Sequence, residues 1–172
     1  MGIIESILYY FKRVFCPNSI RNMEFIMLKL LNKDRKKNGL PVLIMQDDLR
    51  NVARKHSIEM SRMNYFEHES PFGNNHTDRY KVSGISESIS GENLAKIGGY
   101  NFPVHRAEKG LMESPGHRAN ILNKKYNVVG IGIHKSEKET FFFTQNFAFR
   151  TLVFRSGIPN KIRQNQKLKI KY

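Results

Sequence analysis

Residues 111–122 read LMESPGHRANIL. An apolar, helix-like stretch halts at Ser114-Pro115, and a short basic one starts with His117 in its first turn. Serine is a favoured N-cap, and proline suits the first helical position, where an N–H would lack a partner anyway. The stretch therefore predicts a short helix that opens rigidly at Pro115 and ends near Leu122. The positive end of the helix dipole disfavours imidazolium there, by roughly 0.3–1 kcal/mol at an exposed site. A histidine kept neutral near physiological pH suits metal binding or proton acceptance. Capping and packing are the plainer uses of such a residue, so its partners elsewhere in the chain decide its role.

Working toward the N-terminus, Pro103 suits the first turn of a helix running to about Glu113. The segment before it, through Gly91-Glu92-Asn93, is rich in serine and glycine. Thr77 is expected to cap a short helix ending at Gly84. Residues 65–75 read as an acidic, aromatic loop broken by Pro71 and Gly73. Asp47 or Asp48 caps a helix with Leu49, Val52, Ala53, His56 and Met60 on one face. Asn22 caps another, whose stripe is Met23, Ile26, Met27, Leu30 and Leu31. Gly39 and Pro41 stop it. Toward the C-terminus, NVVGIGIH and TFFFTQNFAF read as two strands joined by a charged turn. Helices followed by strands, without regular alternation, give an α+β layered domain.

The chain has 172 residues, 40% of them apolar, enough for one packed core. Its formal net charge of +14 favours anionic partners, a membrane or cell-wall surface among them, although solvated lysine-rich faces give the same count. No nucleic-acid recognition motif accompanies the charge, so specific nucleic-acid binding is not expected. Cys16 is the single cysteine, which excludes an intrachain disulfide and any thiolate metal cluster. Residues 1–21 form an amphipathic segment, with Ile3, Ile4, Ile7, Leu8, Phe11, Val14 and Phe15 at helical spacing. The segment is too short and charged to span a bilayer. It makes a poor secretion signal, because Glu5 and Lys12-Arg13 interrupt the apolar centre. Residues 150–172 carry many bases and no acids and read as a solvated basic tail, leaving residues 22–149 as the domain.

Among the other histidines, His56 lies on an apolar helix face and reads as a core residue. His68, in YFEHESP, suits a cleft edge. His76, His105 and His134 have no evident partners and default to the surface. Glu92, between glycine and asparagine, stands where a merely solubilising charge is unusual. No HExxH helix, P-loop, GxSxG elbow or GxGxxG turn occurs.

RKKNGLPVLIMQDDLRNVARKHSIEMSRMNYFEHESPFG, GENLAKIG, SPGHRANIL, VVGIGI and FFFTQNF follow one another in this order. Together they resemble the CAP superfamily, or SCP domain, of cysteine-rich secretory, antigen five and pathogenesis-related proteins. The nearer match is its bacterial, cysteine-poor branch, over residues 24–149. The resemblance implies a three-layer α-β-α sandwich with a central cleft, and a secreted or cell-envelope location. Eukaryotic members hold two histidines and two glutamates in that cleft, in some cases around zinc or another divalent ion. His68 and Glu92 match one of each. Leu111 stands for the usual tryptophan, Ser114 for the second glutamate and Phe142 for the second histidine. Bacterial members carry the SPGH histidine, here His117. The constellation so implied is His68, Glu92 and His117, with Ser114 and Asn93 in support and His68 and His117 as metal ligands. Two functions are compatible with it. One is an envelope-associated binding module whose cleft takes a small ligand, a lipid or a divalent ion. The alternative is a metal-dependent hydrolase using the same three residues.

Overall fold

A computed structural model describes residues 19–151. The reading of residues 1–18 as an amphipathic helix, and of residues 152–172 as a solvated tail, lies outside the described residues. In chain order the elements are α1 (Ile20–Lys37), β1 (Ile44–Met45), α2 (Asp47–Arg62), α3 (His76–Val82), β2 (Ser90–Gly98), α4 (Pro103–Glu113), α5 (Pro115–Ile121), β3 (Val128–Lys135) and β4 (Thr140–Ala148). The four strands form one sheet in the order β1-β3-β4-β2. β1 pairs parallel with β3, and the other two pairings are antiparallel.

Strand periodicity sorts the core into two faces. Val129, Ile131 and Ile133 of β3, with Phe141, Phe143 and Phe147 of β4, meet Met23, Met27 and Leu31 of α1 and Val104, Ala107 and Leu111 of α4. The other face of the sheet packs Val128 and Ala148 on Leu49 and Val52 of α2 and Tyr80 of α3. The result is the three-layer α-β-α sandwich. The α1 contacts recur at four-residue spacing, one helical face, and each fully buried Met or Leu contributes about 1.5–3 kcal/mol. α2 lies unusually close to the sheet. Gly130 and Gly132 of β3 have no room for a Cβ, because the backbone of Leu49–Arg50 and of Ala53–Arg54 occupies that space. Ser57 fixes the approach by bonding Gly132 O at 3.0 Å and Thr144 Oγ1 at 2.9 Å.

Several local expectations shift by a few residues. Ser19, not Asn22, caps α1, its hydroxyl accepting from the Asn22 N–H. Gln46 precedes α2, and Asp47 and Asp48 sit in its first turn. Asn75 caps α3 in a reciprocal box with Asp78, displacing Thr77 from that role. Arg150 is held rather than solvated: it donates to Glu87 Oε1 at 2.6 Å and to Asp48 Oδ2 at 2.9 Å, while Asn127 pairs with its backbone. The largest difference is β2. The Ser/Gly-rich segment forms a nine-residue strand, in antiparallel register with β4 from Ser90–Ala148 to Gly98–Thr140.

Candidate functional site

β2 is the scaffold of the site. Glu92 and Asn93 are consecutive, so their side chains project to opposite faces of the sheet. Glu92 enters the layer of α2 and α3, and Asn93 enters that of α4 and α5.

On the first side the Glu92 carboxylate is 5% exposed. A buried carboxylate is costly unless paired, and two groups meet it. Nδ1 of His68 donates to Oε1 at 3.0 Å. Arg79 of α3 donates to both oxygens, at 3.0 and 2.8 Å. The same guanidinium also binds the carbonyls of His68 at 3.0 Å and Asn74 at 2.8 Å. Arg79 thus ties the 65–75 loop to β2 and neutralises its acid. Burial alone would raise the Glu92 pKa, but His68 and Arg79 outweigh it and hold the acid below its ordinary range. His68 moves the other way: the bond to Glu92 raises it toward imidazolium against partial burial. Its ring remains about half exposed, at 54%, so it is the solvent-facing member of the pair.

His56, fully buried in α2, stands behind them. Its Nε2 lies 3.9 Å from Glu92 Oε1 and has no hydrogen-bond partner among the described residues. Its Nδ1 lies 3.4 Å from the Tyr65 hydroxyl, which donates to Glu59. Burial lowers the His56 pKa, keeping the ring neutral. His76 is not a plain surface residue either. Its Nε2 is 3.2 Å from Ser90 Oγ, its ring packs edge-on against Tyr80, and burial depresses its pKa.

On the second side a directed chain of amides runs inward from α5. Asn120 donates to Glu92 O at 3.3 Å and to Asn93 Oδ1 at 2.9 Å. Asn93 donates to His117 O at 3.0 Å and to Gln145 Oε1 at 3.1 Å. Gln145 donates to Glu108 Oε2 at 2.8 Å. Asn93 and Gln145 each accept through the oxygen and donate through the nitrogen, which fixes their orientation. Asn93 supports the site by holding the His117 carbonyl, and so α5, against the sheet. The His117 imidazole is kept neutral as expected, but by a different cause. Burial lowers its pKa first, and the nearby His68 charge lowers it further. Ser114 occupies the N-cap position of α5 but makes no capping bond with its side chain.

The amide chain ends on Glu108, 3% exposed and with no cation partner among the described residues, whose burial lifts its pKa to about 8. Between the ordinary carboxyl value and that figure the native state binds the extra proton, so stability falls as pH rises through this window. The slope reaches up to about 1.4 kcal/mol per pH unit. Glu108→Gln, which still accepts from Gln145, should flatten this decline in denaturant melts recorded from mildly acidic to alkaline pH. An unchanged slope would mean that Glu108 is ionised throughout.

The structure therefore brings His68 and Glu92 into contact, sets His117 within electrostatic reach of His68, and links Asn93 to His117. Sequence reading missed Arg79, Gln145 and Glu108, and placed His56 in the core, where it is found, without its closeness to Glu92. An arginine in a seven-residue helix carries no signal by itself; only the burial of Glu92 calls for a counter-ion. Two of the departures noted in sequence are consistent with their surroundings: Leu111 and Phe142 are buried.

A divalent ion does not fit this arrangement. Both Glu92 oxygens already take Arg79, and a metal there would confront the guanidinium across one carboxylate. Among the described residues no group of three or more His, Cys, Asp or Glu side chains is placed to hold a metal. Among the described residues the expected ligand pair His68 and His117 gains no third donor.

With α2 and α3 on one face of a four-stranded sheet, α1, α4 and α5 on the other, and a His/Glu pair at β2, the architecture is that of an SCP domain. The profile of the cysteine-rich secretory protein family, CAP, matches residues 28–147. The chain belongs to this family, in its bacterial form. It is 37% identical to YkwD of Bacillus subtilis (strain 168) over 131 residues, covering 76% of this chain and 49% of YkwD. It is 34% identical to the membrane protein YlbC of the same organism, over 72% of this chain and 34% of YlbC. The chain thus spans about half or less of the length of these relatives. Among solved structures, an extracellular SCP-domain protein of Bacillus anthracis str. Ames is 31% identical, with a TM-score of 0.64 over 72% of this chain and 39% of that one. An outer surface protein of Borrelia burgdorferi superposes with a TM-score of 0.70 at 22% identity, over 77% of this chain and 96% of that one.

Proposed function

We propose that the domain is a binding module facing the cell envelope, whose cleft presents His68 and His117 to a small ligand carrying a hydrogen-bond acceptor or an anionic group. The observation that carries this reading is the double engagement of Glu92. With Arg79 and His68 both on the carboxylate, the acid is spent on orientation and is not free to bind a metal or activate water. What faces solvent is the imidazole of His68, biased toward its charged, donating form, beside a neutral His117. That pair suits an acceptor better than it suits hydrolysis, and the metal-dependent hydrolase reading lacks the donor set it requires. The envelope part of the reading is supported by the extracellular Bacillus anthracis relative and by the net charge of +14.

Inorganic phosphate is the simplest probe. It should produce saturable shifts in the side-chain amide signals of Asn93, which holds the His117 carbonyl, and of Asn120, which holds Asn93. His68→Ala/His117→Ala should lose the saturation while remaining folded, as judged by its far-UV circular dichroism. Linear, non-saturating shifts in the wild type would count against the cleft as a ligand site.

A further inference from the structure

A second surface lies away from the cleft, on the outward side of α1. Asn32 and Leu43 exchange reciprocal bonds, Asn32 Nδ2 to Leu43 O at 3.0 Å and Leu43 N to Asn32 Oδ1 at 2.8 Å. This pins the extended segment 42–44 alongside the helix and fixes its phase. Leu43 points inward and is 2% exposed, so Val42 and Ile44 must point outward, and they are 41% and 47% exposed. Phe25 of α1 adds a ring that is 51% exposed. Lys29, Lys33 and Lys37 follow Phe25 at four-residue spacing, so all four share one face of the helix. The Lys29 ammonium lies 4.7 Å from the centre of the Phe25 ring. Lys29, Lys33 and Lys37 line a groove of about 570 Å³ together with Leu28 and Val42. Asp34, an acid beside these lysines, stands 3.9 Å from Lys37, a largely exposed contact of little strength.

From this juxtaposition we infer that the α1 face, with Val42 beside Lys29, Lys33 and Lys37 and with the exposed Phe25 and Ile44, is a docking surface for an anionic lipid bilayer. The apolar tips enter the headgroup boundary while the ammonium groups meet phosphate and carboxylate headgroups, their stems lying along the apolar surface. A soluble polyanion would use the lysines and leave the three apolar side chains in water; a second copy of this like-charged face would repel the first. The inference deepens the envelope part of the function proposed above and is independent of the cleft.

The test uses the full chain and sedimenting vesicles of phosphatidylserine and phosphatidylcholine, or phosphatidylcholine alone. Each lysine near an anionic surface contributes a factor of about five in partitioning, from ~1 kcal/mol apiece. Lys29→Gln/Lys33→Gln/Lys37→Gln should therefore weaken binding to the anionic vesicles by about a hundredfold. Lys109→Gln/Lys124→Gln/Lys125→Gln removes the same charge elsewhere and should weaken it far less. Phe25→Ser/Val42→Ser/Ile44→Ser should also weaken it while leaving retention on a soluble polyanion unchanged. Equal losses from the two lysine sets would overturn the proposal in favour of net charge alone. Undiminished binding by the apolar variant would mark a polyanion surface instead. A concentration-dependent dimer abolished by the apolar variant would assign the face to self-association. Loss of phosphate binding in the cleft with vesicle binding intact would fail the cleft reading alone.

Discussion

Gly132→Ala is expected to cost about 3 kcal/mol or more, the upper end for an overpacked core. The added Cβ would fall on the backbone of Ala53 and Arg54. Backbone inside a helix cannot rotate aside as a side chain can, so α2 must retreat as a unit. Retreat would loosen Leu49, Val52 and His56 together, and would break the Ser57 bonds to Gly132 and Thr144. Gly130→Ala should behave alike against Leu49 and Arg50. Gly110 in α4 provides the contrast. A Cβ there meets nothing, and a helical glycine costs up to about 1 kcal/mol relative to alanine. Gly110→Ala should therefore be neutral or stabilising. Urea midpoints of the three variants decide the matter, and equal midpoints would refute the close approach of α2 to β3.

Arg35→Leu should be comparably severe, at about 3–5 kcal/mol. Arg35 is fully buried. Its guanidinium feeds four carbonyls: Pro41 at 2.8 Å, Ile121 at 2.8 Å, Asn123 at 2.9 Å and Tyr126 at 3.3 Å. These bonds join the end of α1 to the end of α5 and the turn after it. Leucine would strand the acceptors in a space without water. Lysine should not rescue the loss, because one ammonium cannot reach a fork of four acceptors. The damage should include α5, so the His117 signals should broaden in Arg35→Lys below its melting temperature. A Lys variant as stable as the wild type would show that the fork carries no weight.

Arg35 also illustrates where the sequence was legible and where it was not. In DRKKNG it belongs to a basic run, and such runs usually face water. Its burial depends on carbonyls 86 to 91 residues away, which no local pattern encodes. By contrast, the α1 and α2 stripes, the Pro115 helix start and the Phe-rich β4 announce themselves through period and capping chemistry. β2 did not, because Ser, Gly, Glu and Asn are poor strand formers, and pairing along β4 overrides their preference. Missing β2 as a strand hid the alternation that sends Glu92 and Asn93 to opposite faces. The five-block resemblance still singled out His68 and Glu92, which the structure brings into contact. It carried over a metal-centred picture that Arg79, from a helix with no distinguishing motif, does not fit.

The most direct test of this account is an NMR titration of the His68 ring in the wild type and in Glu92→Gln. The wild-type midpoint should lie above the ordinary histidine value of about 6.5, because the Glu92 carboxylate holds the proton on Nδ1. In the variant that charge is gone while Arg79 remains, so the midpoint should fall below the ordinary value. A His68 midpoint indifferent to the substitution would contradict the account, since Glu92, His68 and Arg79 would then not form one charged unit.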